Sequence, residues 1–242
     1  MDIFLESARQ ALRLLFSGDP YVWEILWASV RVSGTAVLLG LLLGFPTGIA
    51  LALARFPGRT LAVTIVHTGF ALPPVVVGLF VYMMLSRAGP AGGLELLFTP
   101  AAMVFAQAVL AAPYVAGISL AAVQAVPADV RLQARALGAS RARALWTHVR
   151  EARLGLGAAA VAGFGAVISE VGAVMMVGGN IRGETRVMTT AIVLETRRGN
   201  FGTALALGLV LLALAFAVNI ALTRAQQARG GGWAPVSSRE WS

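Results

Sequence analysis

Leu132-Gln-Ala-Arg-Ala-Leu-Gly-Ala-Ser140 lies in a polar, arginine-studded segment between two long apolar runs. Arg131, Arg135, Arg141, Arg143, Arg150 and Arg153 fall in or beside it, against only Asp129 and Glu151. So many charges cannot sit in hydrocarbon, and their positive excess assigns the segment to the cytoplasmic side of a membrane. Val130, Ala134 and Leu137 share one helical face, Arg131 and Arg135 form the neighbouring stripe, and Gly138 interrupts the helix. A charged, helix-forming segment held between two spans suits a docking surface for a soluble partner.

Composition agrees with the membrane reading. The 242 residues are 58% hydrophobic and 12% charged, about half the charge of a soluble domain, and mean hydropathy is +0.79. No cysteine is present, so thiolate metal sites, thiol nucleophiles and disulfides are excluded. His67 and His148 have no ligand spacing, and no metal site is expected. All 19 basic residues are arginine. A phosphate-gripping P-loop needs lysine, so any ATP hydrolysis must come from another polypeptide. The arginines cluster at span ends, which does not point to nucleic acid. No secretory signal peptide is expected.

Apolar runs long enough to cross a bilayer, about 20 residues each, predict five spans. They cover 23–54, 60–86, 99–126, 154–178 (interrupted by Glu170) and 201–223. Residues 1–22 form an N-terminal unit of another kind. On a helix, Phe4, Ala8, Ala11 and Leu15 line one face, flanked by Leu5 and Leu12, while Asp2, Glu6, Arg9, Gln10 and Arg13 line the other. That is an interfacial amphipathic helix, since a sixth span would bury arginines at roughly 3 kcal/mol each. The membrane-spanning domain covers 23–224, with the polar loop at 127–153, and a disordered tail is expected over 225–242. Arg182 to Arg198 reads as a charged loop on the outer side, and His67 as a packed or hydrogen-bonded span residue. No direct or inverted repeat is visible, unlike many secondary transporters.

Three stretches carry a family resemblance. The polar segment resembles the cytoplasmic coupling loop of ABC-importer permeases, whose pattern is Glu-Ala-Ala, three residues, Gly, about nine residues, then Ile-x-Leu-Pro. Ala134 matches the second alanine and Gly138 the glycine, and Leu137-Gly-Ala-Ser140 is a frequent family wording. Leu132 and Gln133 replace the glutamate and first alanine; His148, Arg150 and Glu151 replace the isoleucine, leucine and proline. Leu72-Pro-Pro-Val-Val-Val-Gly78 is similar to the Leu-Pro-Pro stretch of molybdate, tungstate and sulfate permeases. Phe164 to Asn180, with Thr189 to Asn200, is closest in wording to tungstate-type permeases.

The resemblance implies an all-α type I ABC-importer permease core in the cytoplasmic membrane of a prokaryote, multi-pass and homodimeric. It implies two ATPase subunits that use the ATP, an extracytoplasmic solute-binding protein, and no cofactor on this chain. Ala134, Arg135, Leu137, Gly138, Ala139 and Ser140 would couple to the ATPase. Pro73, Pro74, Glu170, Gly172, Gly178, Gly179 and Asn180 would line the path of an oxyanion, tungstate first, with molybdate or sulfate as alternatives. Pro73 and Pro74 remove two donors in mid-span, a break tolerated only where protein or a wet path satisfies the freed carbonyls. Gly178-Gly-Asn180 would turn the chain and offer backbone N–H groups to an anion. Glu170 is a lone intramembrane carboxylate on a face of small residues (Gly163, Ala166, Ala173), which points to a packed helix face or a pathway. An ionised Glu170 would not bind tungstate directly, since both are anions. A secondary transporter using Glu170 as proton carrier is the rival class. A membrane enzyme lacks a base near Ser169, and no catalytic residue is assigned.

Overall fold

The computed structural model describes residues 2–230, and eleven α-helices with two short 3-10 turns are found there. In chain order they are α1 (Asp2–Ser17), α2 (Pro20–Leu53), α3 (Arg59–Thr68), α4 (Pro74–Leu85), α5 (Pro100–Gln124), α6 (Asp129–Ala136), α7 (Arg141–Glu151), α8 (Arg153–Ile168), α9 (Gly172–Gly178), α10 (Met188–Arg197) and α11 (Phe201–Gly230).

Helices α2, α5 and α11 are long and apolar enough to cross a membrane, and bent helix pairs raise the count to five. The second expected span divides at Leu72–Pro73, where the α3 side and α4 meet at 103°. A second bend, of 58°, separates α7 from α8 at Ala152. The fourth expected span also breaks, into α8 and α9, at Ser169–Val171 around Glu170.

The core is a seam between α2 and α5. Gly40, Gly44 and Gly48 recur every four residues on one face of α2, and a Cβ on Gly40 would stand 2.7 Å from Ala111 Cβ. On Gly44 it would stand 2.5 Å from Val115 Cβ, and on Gly48 it would overlap the Ala116 carbonyl. Small residues bring the helix backbones close, which is how helices associate without a hydrophobic drive from water. The contacts advance together along both chains, so α2 and α5 run in the same direction. Both end beside the arginine-rich segment. α8 runs back antiparallel, as Gly155 against Ala122, Gly163 against Val115 and Val167 against Gln107 record. Leu207 of α11 packs with Val22 and Ile25 of α2, so α11 also starts at the far end and brings Arg224 to the arginine-rich end.

Three expectations are corrected. Residues 188–197 of the supposed outer loop form α10, which buries Met188, Thr189, Thr190, Ala191 and Glu195. Its start is fixed by the Met188 N–H donating to Ser29 Oγ at 2.7 Å and by Thr190 Oγ1 accepting from Val187 N–H. His67 is exposed on α3, 6.0 Å from the Phe70 ring, and no hydrogen bond to it is found among the described residues. The tail expected from residue 225 begins as helix, since α11 runs to Gly230; residues 231–242 lie outside the described ones. Helix α1 packs against α11, with Ala11 fully buried and Gln10 against Gly202.

Candidate functional site

The residues singled out in sequence form two sites at opposite regions of the bundle. The first is the α6–α7 elbow. Helix α6 stops in a left-handed turn at Gly138, with φ +86°. The Gly138 N–H donates to Arg135 O (2.9 Å) and the Ala139 N–H to Ala134 O (3.0 Å). This is the paired closure of a Schellman motif, which satisfies two orphan carbonyls and needs a residue without Cβ strain. Ser140 then caps α7, its Oγ accepting from the Arg143 N–H at 3.3 Å.

The elbow holds its side chains out. Leu137 is 89% exposed, Trp146 66% and Leu132 64%, in a segment that also carries six arginines. A groove of about 420 Å³ gathers Ala134, Leu137, Gly138 and Ala139. Arg135 lies on a second groove with Arg131 and Arg141. Of the six residues expected to couple, four therefore share a groove, Arg135 faces the other, and Ser140 is a cap.

His148, which sequence reasoning left without a role, anchors this elbow. It is buried on α7, and its Nε2–H donates to the Val123 carbonyl at the end of α5 (3.1 Å), while Nδ1 has no partner among the described residues. Burial lowers its pKa, the Arg131 charge lowers it further, and the Val123 hydrogen bond opposes both. The imidazole is thus held neutral.

The second site is the pair of helix breaks. Pro73 and Pro74 are exposed, while Glu170 is only 6% exposed. Packing of α4 on α9 brings them together: a Cβ on Gly172 would stand 2.7 Å from Val75 Cγ2. Each break is satisfied from a neighbouring helix. Tyr114 Oη donates to Phe70 O (3.2 Å) before the proline break. Gln107 Nε2 donates to Val167 O (3.2 Å) at the end of α8. Glu170 Oε1 accepts the Ala173 N–H (2.8 Å) and so caps α9, and its own carbonyl accepts from Thr189 Oγ1 (2.9 Å). Gln107 and Thr189 were not anticipated; an amide or hydroxyl in an otherwise apolar run is the signal they offered.

Gly178, Gly179 and Asn180 lie at the other end of α9, roughly 10 Å along its axis. Gly179 has φ +69° and its N–H donates to Met175 O, while Ile181 N–H donates to Thr185 Oγ1. Arg186 holds Asn180 by both its side chain and its carbonyl, at 3.2 Å each. The turn is thus closed on itself. Among the described residues no group of three or more His, Asp or Glu side chains is placed to hold a metal.

Two broken spans pack against each other, and a helical elbow projects from the arginine-rich end. Residues 40–229 match the family described as "Binding-protein-dependent transport system inner membrane component". The chain belongs to that family. It is thus a multi-pass inner-membrane permease, a subunit of a transport system.

Relatives extend over most of the permease. It is 46% identical over 204 residues to a probable anion ABC transporter permease of Haloferax volcanii, covering 82% of this chain and 88% of that one. It is 38% identical to the tungstate uptake system permease TupB of Peptoclostridium acidaminophilum, covering 94% and 100%. With the molybdenum transport permease ModB of Escherichia coli K12 it shares 31% over 75% and 84%. Among solved structures, chains of a bacterial ABC transporter for alginate import (17% identical, TM-score 0.70, covering 93% and 89%) and of the MetNI methionine transporter (18%, 0.67, 86% and 96%) have the same fold.

Proposed function

We propose that this permease is the membrane-spanning subunit of an ATP-driven ABC importer for an oxyanion, with tungstate as substrate. The similarity to a tungstate uptake permease, over 94% of this chain and the full length of that one, carries the reading. Two copies form the translocation unit, each offering its α6–α7 elbow to one copy of a separate ATPase subunit. An extracytoplasmic binding protein delivers the anion and supplies most of the affinity.

In this reading the exposed Leu137 and Trp146 and the groove at Ala134–Ala139 receive the ATPase. ATPase closure pushes on the elbow. The Schellman turn and the His148–Val123 bond pass the motion to the end of α5. α5 holds both breaks, through Tyr114 and Gln107, so its movement shifts α4 and α9 together. Glu170 acts as a capping carboxylate and Pro73–Pro74 and Gly172 lie along the path; neither Glu170 nor the closed Gly178–Asn180 turn binds the dianion tightly.

Uptake tests this directly. Proteoliposomes holding the permease and its ATPase, supplied with ATP and the binding protein, should accumulate tungstate. Preference for molybdate or sulfate would reassign the substrate within the same mechanism. Accumulation driven by a proton gradient without ATP would replace the mechanism.

A further inference from the structure

At the end of the bundle opposite the arginine-rich segment, an open cavity of about 310 Å³ is lined by α2, the start of α5 and the 183–186 loop. Glu24, Trp27, Arg31 and Thr35 follow one another at three- and four-residue steps on one face of α2, and Glu184 and Arg186 line the far wall. The floor is apolar, from Val32 and Val104. Glu24 reaches over the loop: a Cβ on Gly183 would stand 3.8 Å from Glu24 Oε1.

Charges of both signs line this space without using one another. Among the described residues the ion pair found is Arg198–Glu195, and the Glu24, Glu184 and Arg31 side chains make no hydrogen bond. Arg186 is engaged elsewhere, with Asn180 and with Tyr21 Oη. Two free carboxylates and one free guanidinium thus line one small cavity, Glu24 and Arg31 along α2 and Glu184 on the opposite wall. Arg31 sits roughly 16 Å along a helix of roughly 51 Å, which exceeds the roughly 30 Å of hydrocarbon. That puts the cavity near a membrane interface, and Trp27, 64% exposed, with Trp23 at 61%, fits the aromatic belt found at that depth. Unpaired charge at this depth calls for a partner.

The charge pattern selects the partner. An oxyanion dianion would meet Glu24 and Glu184, and a purely cationic group would meet Arg31. We propose that the cavity holds the headgroup of a phospholipid carrying both a phosphate and a primary ammonium, phosphatidylethanolamine in kind. Arg31 takes the phosphate, Glu24 and Glu184 the ammonium, and Trp27 with Val32 and Val104 the glycerol end. The site uses nothing from the transport mechanism and stands or falls apart from it.

The test is native mass spectrometry of the purified full-length protein, with any subunits it retains, in an equimolar mixture of phosphatidylethanolamine and phosphatidylglycerol. Retention of phosphatidylethanolamine should exceed that of phosphatidylglycerol by about fivefold, the scale of two partly exposed ion pairs. E24Q/E184Q should bring the ratio near one, and R31Q should lower retention of both. These side chains make no internal bonds, so the variants should fold; E151Q, in the elbow, should leave the ratio unchanged. An unchanged ratio in E24Q/E184Q, or no preference in the natural protein, overturns the proposal. So does displacement of the lipid by tungstate. A disulfide-linked dimer of W27C in membranes also overturns it, because a second copy would then cover the cavity.

Discussion

Gly78 of α4 lies so close to Ala173 of α9 that a Cβ on Gly78 would stand 2.6 Å from Ala173 Cα. The two broken spans are joined at this point, just beyond the prolines of one and the carboxylate of the other. Because the obstructing atom is backbone, a side chain at Gly78 cannot be absorbed by a rotamer change. Gly78→Ala should lower stability by about 1–3 kcal/mol, as overpacking does, read as a drop in the melting temperature of the solubilised protein. An unchanged melting temperature would mean that α4 and α9 do not pack this way.

The α2–α5 seam makes a parallel prediction with an internal control. Gly48→Ala would press on the Ala116 carbonyl, whereas a Cβ at Gly34 meets nothing within 4 Å. Gly48→Ala should therefore destabilise by about 1–3 kcal/mol, while Gly34→Ala should leave stability level or raise it slightly. Equal effects at the two positions would dissolve the seam.

Glu170 separates two mechanisms. Glutamine keeps the oxygen that accepts the Ala173 N–H, and alanine does not. If capping is its role, Glu170→Gln should keep uptake, while Glu170→Ala should cost about 1 kcal/mol of stability and reduce uptake. A proton carrier would reverse the first result, because glutamine cannot carry a proton.

Gly138 should be sensitive for its backbone alone. No atom lies within 4 Å of its Cβ position, yet φ is +86°. Gly138→Ala should strain the turn by about 1 kcal/mol and weaken coupling of ATP hydrolysis to transport. Gly138→Trp should abolish uptake while the protein still inserts, because it would block the groove; normal uptake by that variant would remove the elbow from the mechanism.

His148 gives a pH dependence. Its pKa is lowered in the fold, so the unfolded chain binds the proton more readily. The contribution is complete above the unfolded value of about 6.5 and declines as pH falls below it toward the lowered folded value. Protection of α7 amides against hydrogen exchange, relative to the intrinsic rate at each pH, should fall on going from neutral pH into this range, and His148→Gln should flatten the dependence. Identical profiles for both proteins would show that the ring does not hold the elbow.

Much of this was legible in sequence. Charge placed the elbow, Gly138 marked its turn and Pro73–Pro74 marked a break, because each is a local conflict between residue chemistry and a continuous span, whereas the break at Glu170 was read as continuous helix. What escaped was set by tertiary contact. Helix α10 is ten residues long and opens on β-branched threonines, so no periodicity announced it; its start depends on Ser29, far away in sequence. His148 looked like a loop residue because its partner, Val123, belongs to another helix. The Gly40, Gly44 and Gly48 repeat was readable as a small-residue stripe, though its partner face on α5 was not. In the second site, the spacing of Pro73 and Glu170 said nothing of α4 packing on α9.

The most direct measurement is the subunit composition of the tagged chain solubilised gently from its native membranes. The proposed function predicts two copies of this permease with two copies of an ATPase subunit. A chain isolated without any ATPase, and active in liposomes lacking ATP, would contradict it.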